Sequence, residues 1–317
     1  MPAAVWAAVS QLIDNELATA PSGLAVACRR VGRGGKRTRA ALTFLCARLG
    51  GAAWETAVPL AAAVELLHLA TLIHDDLIDG AAVRRGGPTV NALEGPETAV
   101  LAGDLCIGIA MRLAAAGGGG AAARLAATLV ELCAGQALEA QGRFDPHVTV
   151  DRALAVAGSK TGSLMAAACG LGAVLSRTAD QDFDDAVSDY GYAVGIALQL
   201  IDDLLDVWAD ESQVGKPTGT DFANGIVTVP AVYAMAKDPR LGVLLRPALS
   251  ESQRDHANGL LRRADARDAT VEEIGKQLKR ADASLCLNHL ADVAIVDDLR
   301  NAALGYASWQ LNRILPA

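Results

Sequence analysis

Aromatic residues make up only 4% of this 317-residue chain, and runs of β-branched residues alternating with polar ones are scarce. Strands are built from both, so their scarcity argues against a sheet-based fold. The six cysteines, Cys28, Cys46, Cys106, Cys133, Cys169 and Cys286, form no CxxC pair and no metal spacing. They read as small buried hydrophobes in a reducing compartment. An excess of positive charge is also missing. The net charge of −8 argues against a nucleic-acid footprint and against an anionic membrane surface. The longest uncharged run, Thr161 to Ser176, has 16 residues and falls short of a spanning helix, so no transmembrane segment is expected. The first dozen residues lack the basic start of a signal peptide, which points to a cytoplasmic protein. Gly117 to Gly120 carry no Walker spacing with its Lys-Ser/Thr and read as a turn between helices.

What is there is alanine, leucine and helical periodicity, with 52% of residues hydrophobic. The pattern predicts helices over about 4–19, 38–49, 54–79, 97–115, 121–142, 151–158, 161–176, 183–208 and 292–314. Glycine-rich loops run over 33–37, 86–89 and 215–221. No Ser-, Pro- or charge-rich linker divides the chain, so residues 1–317 are expected to form a single domain. The expected fold class is all-α, a helical bundle around a central cavity.

One acidic pattern occurs twice: Asp75-Asp76-Leu77-Ile78-Asp79 and Asp202-Asp203-Leu204-Leu205-Asp206. Residues four apart share a helix face, so Asp75 points with Asp79, and Asp202 with Asp206. The helices leading into both clusters are apolar almost all round, which disfavours a solvated face. Carboxylates on such a face are costly without a cation between them. Oxygen-only ligands suit Mg²⁺, a hard cation that usually also binds substrate phosphates. The picture is two carboxylate clusters facing across a cavity with Mg²⁺ and a diphosphate between them. Asp182, Asp184, Asp185 and Asp189 are a control: they open a helix and favour its positive end. Lys36, Arg39, Arg84, Arg85, Lys160 and Lys216 lie near the acidic motifs or in glycine-rich loops. Each alone reads as a solvated charge, and placement is what makes it a phosphate ligand.

These residues carry a resemblance. Gly35-Lys36-Arg37-Thr38-Arg39 is similar to the GKxxR element of trans-isoprenyl diphosphate synthases, the polyprenyl synthetase family. Glu65 to Thr89 resembles the first aspartate-rich region of that family with its trailing RRGxPT. Gly103-Asp104, Gly135-Gln136, Lys160-Thr161, Gln199 with the second acidic motif, and Gly215 to Asp221 follow in the family's order. The resemblance covers roughly residues 30–235. It implies an isoprenoid-synthase-type bundle, very commonly a homodimer. Asp75, Asp76 and Asp79 would bind Mg²⁺ on an allylic diphosphate, helped by Asp202, Asp203 and Asp206. Arg84, Lys160, Thr161, Gln199 and Lys216 would contact that diphosphate or line its pocket. Lys36, Arg39, His68 and Arg85 would hold isopentenyl diphosphate, although a histidine on an apolar helix is by default a satisfied core residue.

The implied reaction is ionisation of the allylic diphosphate and attack by the double bond of isopentenyl diphosphate, giving a longer all-trans chain. No Ser/His or Cys/His arrangement is needed. Family members that stop at farnesyl often carry aromatics four or five residues before the first Asp. Here Ala70 and Thr71 stand there, with Leu67 deeper and Gly108 below Asp104, which resembles synthases of longer chains such as quinone side chains, so a product of geranylgeranyl or longer is expected, with a long chain favoured. Two positions depart from the family pattern: Ile226 stands where many members have Lys, and Leu198 replaces a frequent Phe. A class I terpene cyclase is a rival reading, but such enzymes usually lack the second DDxxD and need no isopentenyl diphosphate site. A partner subunit of a heteromeric synthase is another, and it would be expected to have lost aspartates. An acidic helical structural protein is the blandest reading and leaves the ordered motifs unexplained.

Overall fold

The structure, a computed structural model, describes residues 3–33, 35, 37–118, 120–177, 181–209, 218–263, 265–286, 293–312 and 314. Lys36 and Lys216 lie outside them. Among the described residues the architecture is all-α apart from one two-stranded hairpin, Val83–Arg84 with Gly87–Pro88. The helices that matter for the site are α1 (Ala3–Ala18), α2 (Ser22–Gly32), α3 (Thr38–Leu49), α4 (Val58–Ile78), α5 (Val90–Glu94), α6 (Pro96–Ala116), α7 (Ala121–Gln141), α8 (Val150–Ala157), α9 (Ser163–Ala173) and α10 (Gln181–Trp208). They are followed by α11 (Thr220–Ala223), α12 (Val229–Lys237), α13 (Arg240–Leu244), α14 (Glu251–Arg263), α15 (Ala266–Ser284) and α16 (Val293–Leu311).

The chain forms two compact units. One contains Met1–Thr128, Ala167–Ser188 and His289–Ile295, and the other contains Leu129–Ala166, Asp189–Asn288 and Val296–Ala317. In the first, α4 runs against α6 along its length and also packs on α1 and α3. Leu60, Ala61, Ala62, Ala63, Val64, Leu66 and Leu67 are fully buried, so α4 is apolar all round as its sequence requires. Alanine and glycine at Ala99, Ala102, Gly103 and Ala110 let α6 come close. A Cβ on Gly103 would run into the His74 imidazole, so that ring occupies the notch glycine leaves. In the second unit, Ile196, Ala197, Leu200, Ile201, Leu204 and Leu205 of α10 pack with Ala153, Ala157, Val229 and Ile274.

Three local features differ from the sequence reading. Helix α2 falls outside the helices expected from the sequence, and it buries Ala25, Ala27, Cys28 and Val31. Residues 86–89 are not simply a loop: Arg85 (φ 51°) and Gly86 (φ 75°) form a two-residue hairpin turn with both φ values positive. The break expected between 158 and 161 is a π-helical turn, Gly158–Gly162, joining α8 to α9. Of the cysteines, Cys28, Cys46, Cys106 and Cys169 are buried as expected, whereas Cys133 and Cys286 are exposed.

Among the described residues, four helical stretches, Glu55–Ile78, Pro96–Ala116, Ala121–Gln141 and Val150–Ala173, are long and apolar enough to cross a membrane by length and composition. They differ from the sequence expectation because each is interrupted by three or four charged residues and so contains no uncharged run of spanning length. In the first and last, 61% of the apolar window is buried inside the protein, so core packing accounts for their composition.

Candidate functional site

The first acidic motif closes α4. Asp75 is half-buried, Asp76 is buried and Asp79 is the exposed residue that ends the helix. The hairpin then folds back so that Arg84 Nε donates to Asp76 Oδ1 at 2.7 Å. The other Asp76 oxygen is buried with no hydrogen-bond partner. Burial raises the Asp76 carboxyl above its ordinary value, and Arg84 opposes that rise. The left-handed turn at Arg85 sends its guanidinium the other way. Its Nη1 donates to the Arg33 carbonyl at 3.3 Å and to the Val31 carbonyl at 3.5 Å, beside Gly35 in the loop that carries Lys36.

His68 lies two helical turns before Asp75. Burial holds its imidazole well below the ordinary value, and the charges of Arg39, Arg85 and Arg84 push it further down. A neutral imidazole therefore sits among three of the predicted arginines. Leu67 and Ala70 are buried, and Thr71 Oγ1 donates to the His68 carbonyl at 2.8 Å. Two residues of this half went unnoticed in the sequence. Glu65 accepts from the Ala40 amide at 2.9 Å and caps the start of α3, the helix that presents Arg39. His74 places Nε2 3.3 Å from the Val100 carbonyl of α6, which fixes the last turns of α4 immediately before Asp75. Only the HDD tripeptide could have signalled His74, and nothing in the local pattern marks Glu65.

The second motif lies in the other unit, near the end of α10. Asp202 is exposed, whereas Asp203 and Asp206 are buried. Asp206 works as a remote cap. Its Oδ1 accepts from Thr220 Oγ1 at 2.9 Å and from the Thr220 amide at 3.4 Å, and its Oδ2 accepts from the Asp221 amide at 3.2 Å. Its carbonyl accepts from the Gly219 amide at 2.6 Å. The shared face predicted for Asp202 and Asp206 thus resolves into one outward and one inward carboxylate.

Asp203 belongs to a hydrogen-bond chain. Thr161 Oγ1 donates to Gln199 Oε1 at 2.7 Å, and Gln199 Nε2 donates to Asp203 Oδ1 at 2.8 Å. Burial pushes the Asp203 carboxyl well above its ordinary value. The neighbouring charge of Asp221 adds to the rise, the Gln199 amide opposes it, and Asp202 and Asp206 add further. Lys160 Nζ, one residue from Thr161, donates to Glu139 Oε1 at 2.7 Å, a partner on α7 that the sequence did not single out. Thr161, Gln199 and Asp203 are therefore linked in one hydrogen-bond chain, with Lys160 next to Thr161 and paired with Glu139.

Among the described residues, no three His, Cys, Asp or Glu side chains converge on one point as a preformed metal site. The donors nevertheless fit Mg²⁺. They are oxygens only, one Asp76 oxygen is buried and unpartnered, and Asp203 is crowded by three other carboxylates. Cation binding offsets that cost.

Comparison with known proteins adds an independent line. The family described as polyprenyl synthetase matches residues 24–263. The chain is 38% identical over 231 residues to the nonaprenyl diphosphate synthase of Mycobacterium tuberculosis, covering 72% of this chain and 69% of that one. It is 39% identical over 209 residues to the geranylgeranyl diphosphate synthase of the same organism, covering 64% of this chain and 59% of that one. The fold is similar to a polyprenyl synthase from Caulobacter crescentus solved with calcium and isoprenyl diphosphate. There the TM-score is 0.87 at 30% identity, with 98% of this chain and 95% of that one covered.

Asp203 sets a pH signature. Its folded pKa lies above the ordinary carboxylate value of 3.8, so between the two the folded state binds more protons than the unfolded state. Metal-free stability attributable to it therefore falls as pH rises through that window and is level above it. Asp203→Asn removes the effect. Thermal melts of metal-free protein should show the variant gaining on wild type as pH rises, and Mg²⁺ with diphosphate should stabilise wild type more than the variant. Parallel pH profiles would contradict the assignment.

Proposed function

The chain belongs to the polyprenyl synthetase family and is a prenyltransferase of that family, and we propose that it condenses isopentenyl diphosphate with an allylic diphosphate in a Mg²⁺-dependent reaction. The observation that carries this is that both aspartate-rich motifs are intact and each has the cationic or hydrogen-bonding partners a diphosphate site needs. Arg84 lies on Asp76 in one, and Lys160, Thr161 and Gln199 lead to Asp203 in the other.

Asp75, Asp76, Asp79, Asp202 and Asp203 are assigned to holding Mg²⁺, which when bound supplies positive charge to the leaving diphosphate. Asp206 is assigned to anchoring the 219–221 turn, because both its oxygens are taken by that turn. Arg84, Lys160 and Thr161 orient the allylic diphosphate and stabilise charge as it departs. Arg39, neutral His68 and Arg85 are assigned to isopentenyl diphosphate, and a neutral imidazole there donates or accepts a hydrogen bond without adding charge. Lys36 and Lys216 are assigned to the same two diphosphates by their motifs. The apolar side chains along α4 exclude water from the allylic cation.

For the product, we favour a chain longer than geranylgeranyl. Ala70 and Thr71 are small where the tail of the product would run, and the relatives named above span geranylgeranyl to nonaprenyl. For the assembly we propose a homodimer. Leu93, Val100 and Leu101 are exposed on α5 and α6, and a surface of that kind is usually covered by a partner.

Three measurements test these readings. Purified protein given Mg²⁺, isopentenyl diphosphate and farnesyl diphosphate should release diphosphate only when both substrates are present. Asp75→Ala should lower that rate by about two to three orders of magnitude, and release from the allylic substrate alone would point to a cyclase. Mass spectrometry of the products should show a ladder past geranylgeranyl that Ala70→Phe or Thr71→Phe cuts short. A wild-type ladder stopping at geranylgeranyl would refute the chain-length reading. Light scattering should give about twice the chain mass of 32.6 kDa, with Leu101→Glu shifting it to the monomer, and a monomeric wild type would refute the dimer.

A further inference from the structure

The π turn at Gly158–Gly162 holds two residues assigned to the allylic diphosphate, Lys160 and Thr161, and it needs a reason to exist. An extra residue in a helical turn costs hydrogen-bond quality, so such turns persist where tertiary contacts enforce them. Here the contact is one aromatic ring. Tyr192 of α10 lies against both glycines that bound the turn. A Cβ on Gly158 would overlap the Tyr192 hydroxyl and lie 2.8 Å from Cζ. A Cβ on Gly162 would lie 3.1 Å from Cδ2 and 3.2 Å from Cε2. One turn along, Gly195 brings α10 onto the same segment, where a Cβ would lie 2.6 Å from the Gly162 Cα and 2.9 Å from the Thr161 carbonyl oxygen.

The ring is held from a second side. The Arg280 guanidinium of α15 sits 5.5 Å from its centroid, and Arg280 is itself paired with Asp189 on α10. Ser284 Oγ donates to the same Asp189 carboxylate at 3.2 Å. A chain of contacts thus runs from α15 through Arg280 and Tyr192 to the π turn. From there it continues through Thr161 and Gln199 to Asp203. An α-helical turn in place of the π turn would rotate Lys160 and Thr161 relative to Gln199.

We infer that Tyr192 is a positioning residue for allylic-diphosphate binding: its ring, seated against Gly158 and Gly162 and backed by Arg280, imposes the π turn that presents Lys160 and Thr161. The inference rests on the assignment of those two residues to the allylic substrate. Tyr192 touches no reacting atom in this scheme, so its removal changes affinity for one substrate and leaves the other alone.

The test is steady-state kinetics with each substrate varied separately, alongside thermal melts, for Tyr192→Phe, Tyr192→Leu, Gly158→Ala, the Gly158→Ala/Tyr192→Phe double variant and Lys160→Ala. Tyr192→Phe keeps the ring and should stay within about twofold of wild type for both substrates. Tyr192→Leu and Gly158→Ala should each raise the allylic KM by about tenfold or more, with the isopentenyl diphosphate KM within about twofold. Tyr192→Phe should recover part of the Gly158→Ala defect, because the hydroxyl is the first atom the new methyl meets. Should Tyr192→Leu fail to fold, the Gly158→Ala and double-variant pair decides the matter alone. Equal rises in both KM values, or an unchanged allylic KM in Gly158→Ala while Lys160→Ala raises it, overturns the role of Tyr192. An allylic KM unmoved by Lys160→Ala overturns the allylic assignment itself and this inference with it.

Discussion

Burying a carboxylate is the constraint around which the rest of this structure is arranged. Asp76, Asp203 and Asp206 are all withdrawn from water at the ends of apolar helices, and each would be untenable alone. The protein meets the cost in three ways. Asp76 takes the Arg84 guanidinium on one oxygen. Asp206 spends both oxygens on backbone amides and the Thr220 hydroxyl and becomes part of the scaffold. Asp203 receives one amide hydrogen from Gln199 and is left crowded by Asp202, Asp206 and Asp221. The residual cost falls on Asp76 and Asp203, the two buried carboxylates that the proposed function assigns to Mg²⁺. Asp206 is fully satisfied in the free protein, whereas Asp76 keeps one buried oxygen without a hydrogen-bond partner.

The sequence revealed the acidic motifs because their setting was improbable. Aspartates in helices with no polar face had no structural reason to be there, and that signal is independent of any neighbour. The helices around them were legible for the same reason: α3, α6, α7 and α10 begin and end within a residue or two of their periodic patterns. The supporting residues were not legible. Glu65 caps α3 from another helix, Glu139 pairs with Lys160 from another, and Thr220 reaches Asp206 from beyond the end of α10. Each is an ordinary polar residue whose role exists only through a contact distant in sequence. The division of labour between Asp202 and Asp206 was hidden too, because a helical wheel places them on one face and cannot report that a later turn claims one of them.

Ile226 shows how local geometry can stand in for an absent charge. The resemblance noted in the sequence leads one to expect lysine there. In this chain the Ile226 amide donates to the Asp221 carbonyl at 2.9 Å, and the Gly225 carbonyl accepts from the Phe144 amide at 2.9 Å. The Phe144 ring packs onto Gly225, where a Cβ would lie 2.6 Å from it. The turn carrying Asp221 is therefore closed by backbone hydrogen bonds and one aromatic contact, with no requirement for a cationic side chain. What the substitution removes is charge, and the charge assigned to the leaving diphosphate comes from Arg84, Lys160, Lys216 and the metal.

The scarcity of aromatics has a consequence of its own. A bundle built from alanine and glycine packs its helices closely and leaves few gaps, so each large ring has strong local leverage. Phe144 closes the turn at Gly225, Tyr192 fills the slot left by Gly158 and Gly162, and His74 fills the notch at Gly103. In all three places glycine on one element faces a ring on another, and at Gly103 and at Gly158 and Gly162 the contact fixes backbone one or two residues from Asp75, Asp76, Lys160 and Thr161. The same economy is the physical basis for reading Ala70 and Thr71 as room for a growing chain in the proposed function. In so tightly packed a frame, room for a growing chain arises only where side chains are withheld, and a single ring placed there would close it.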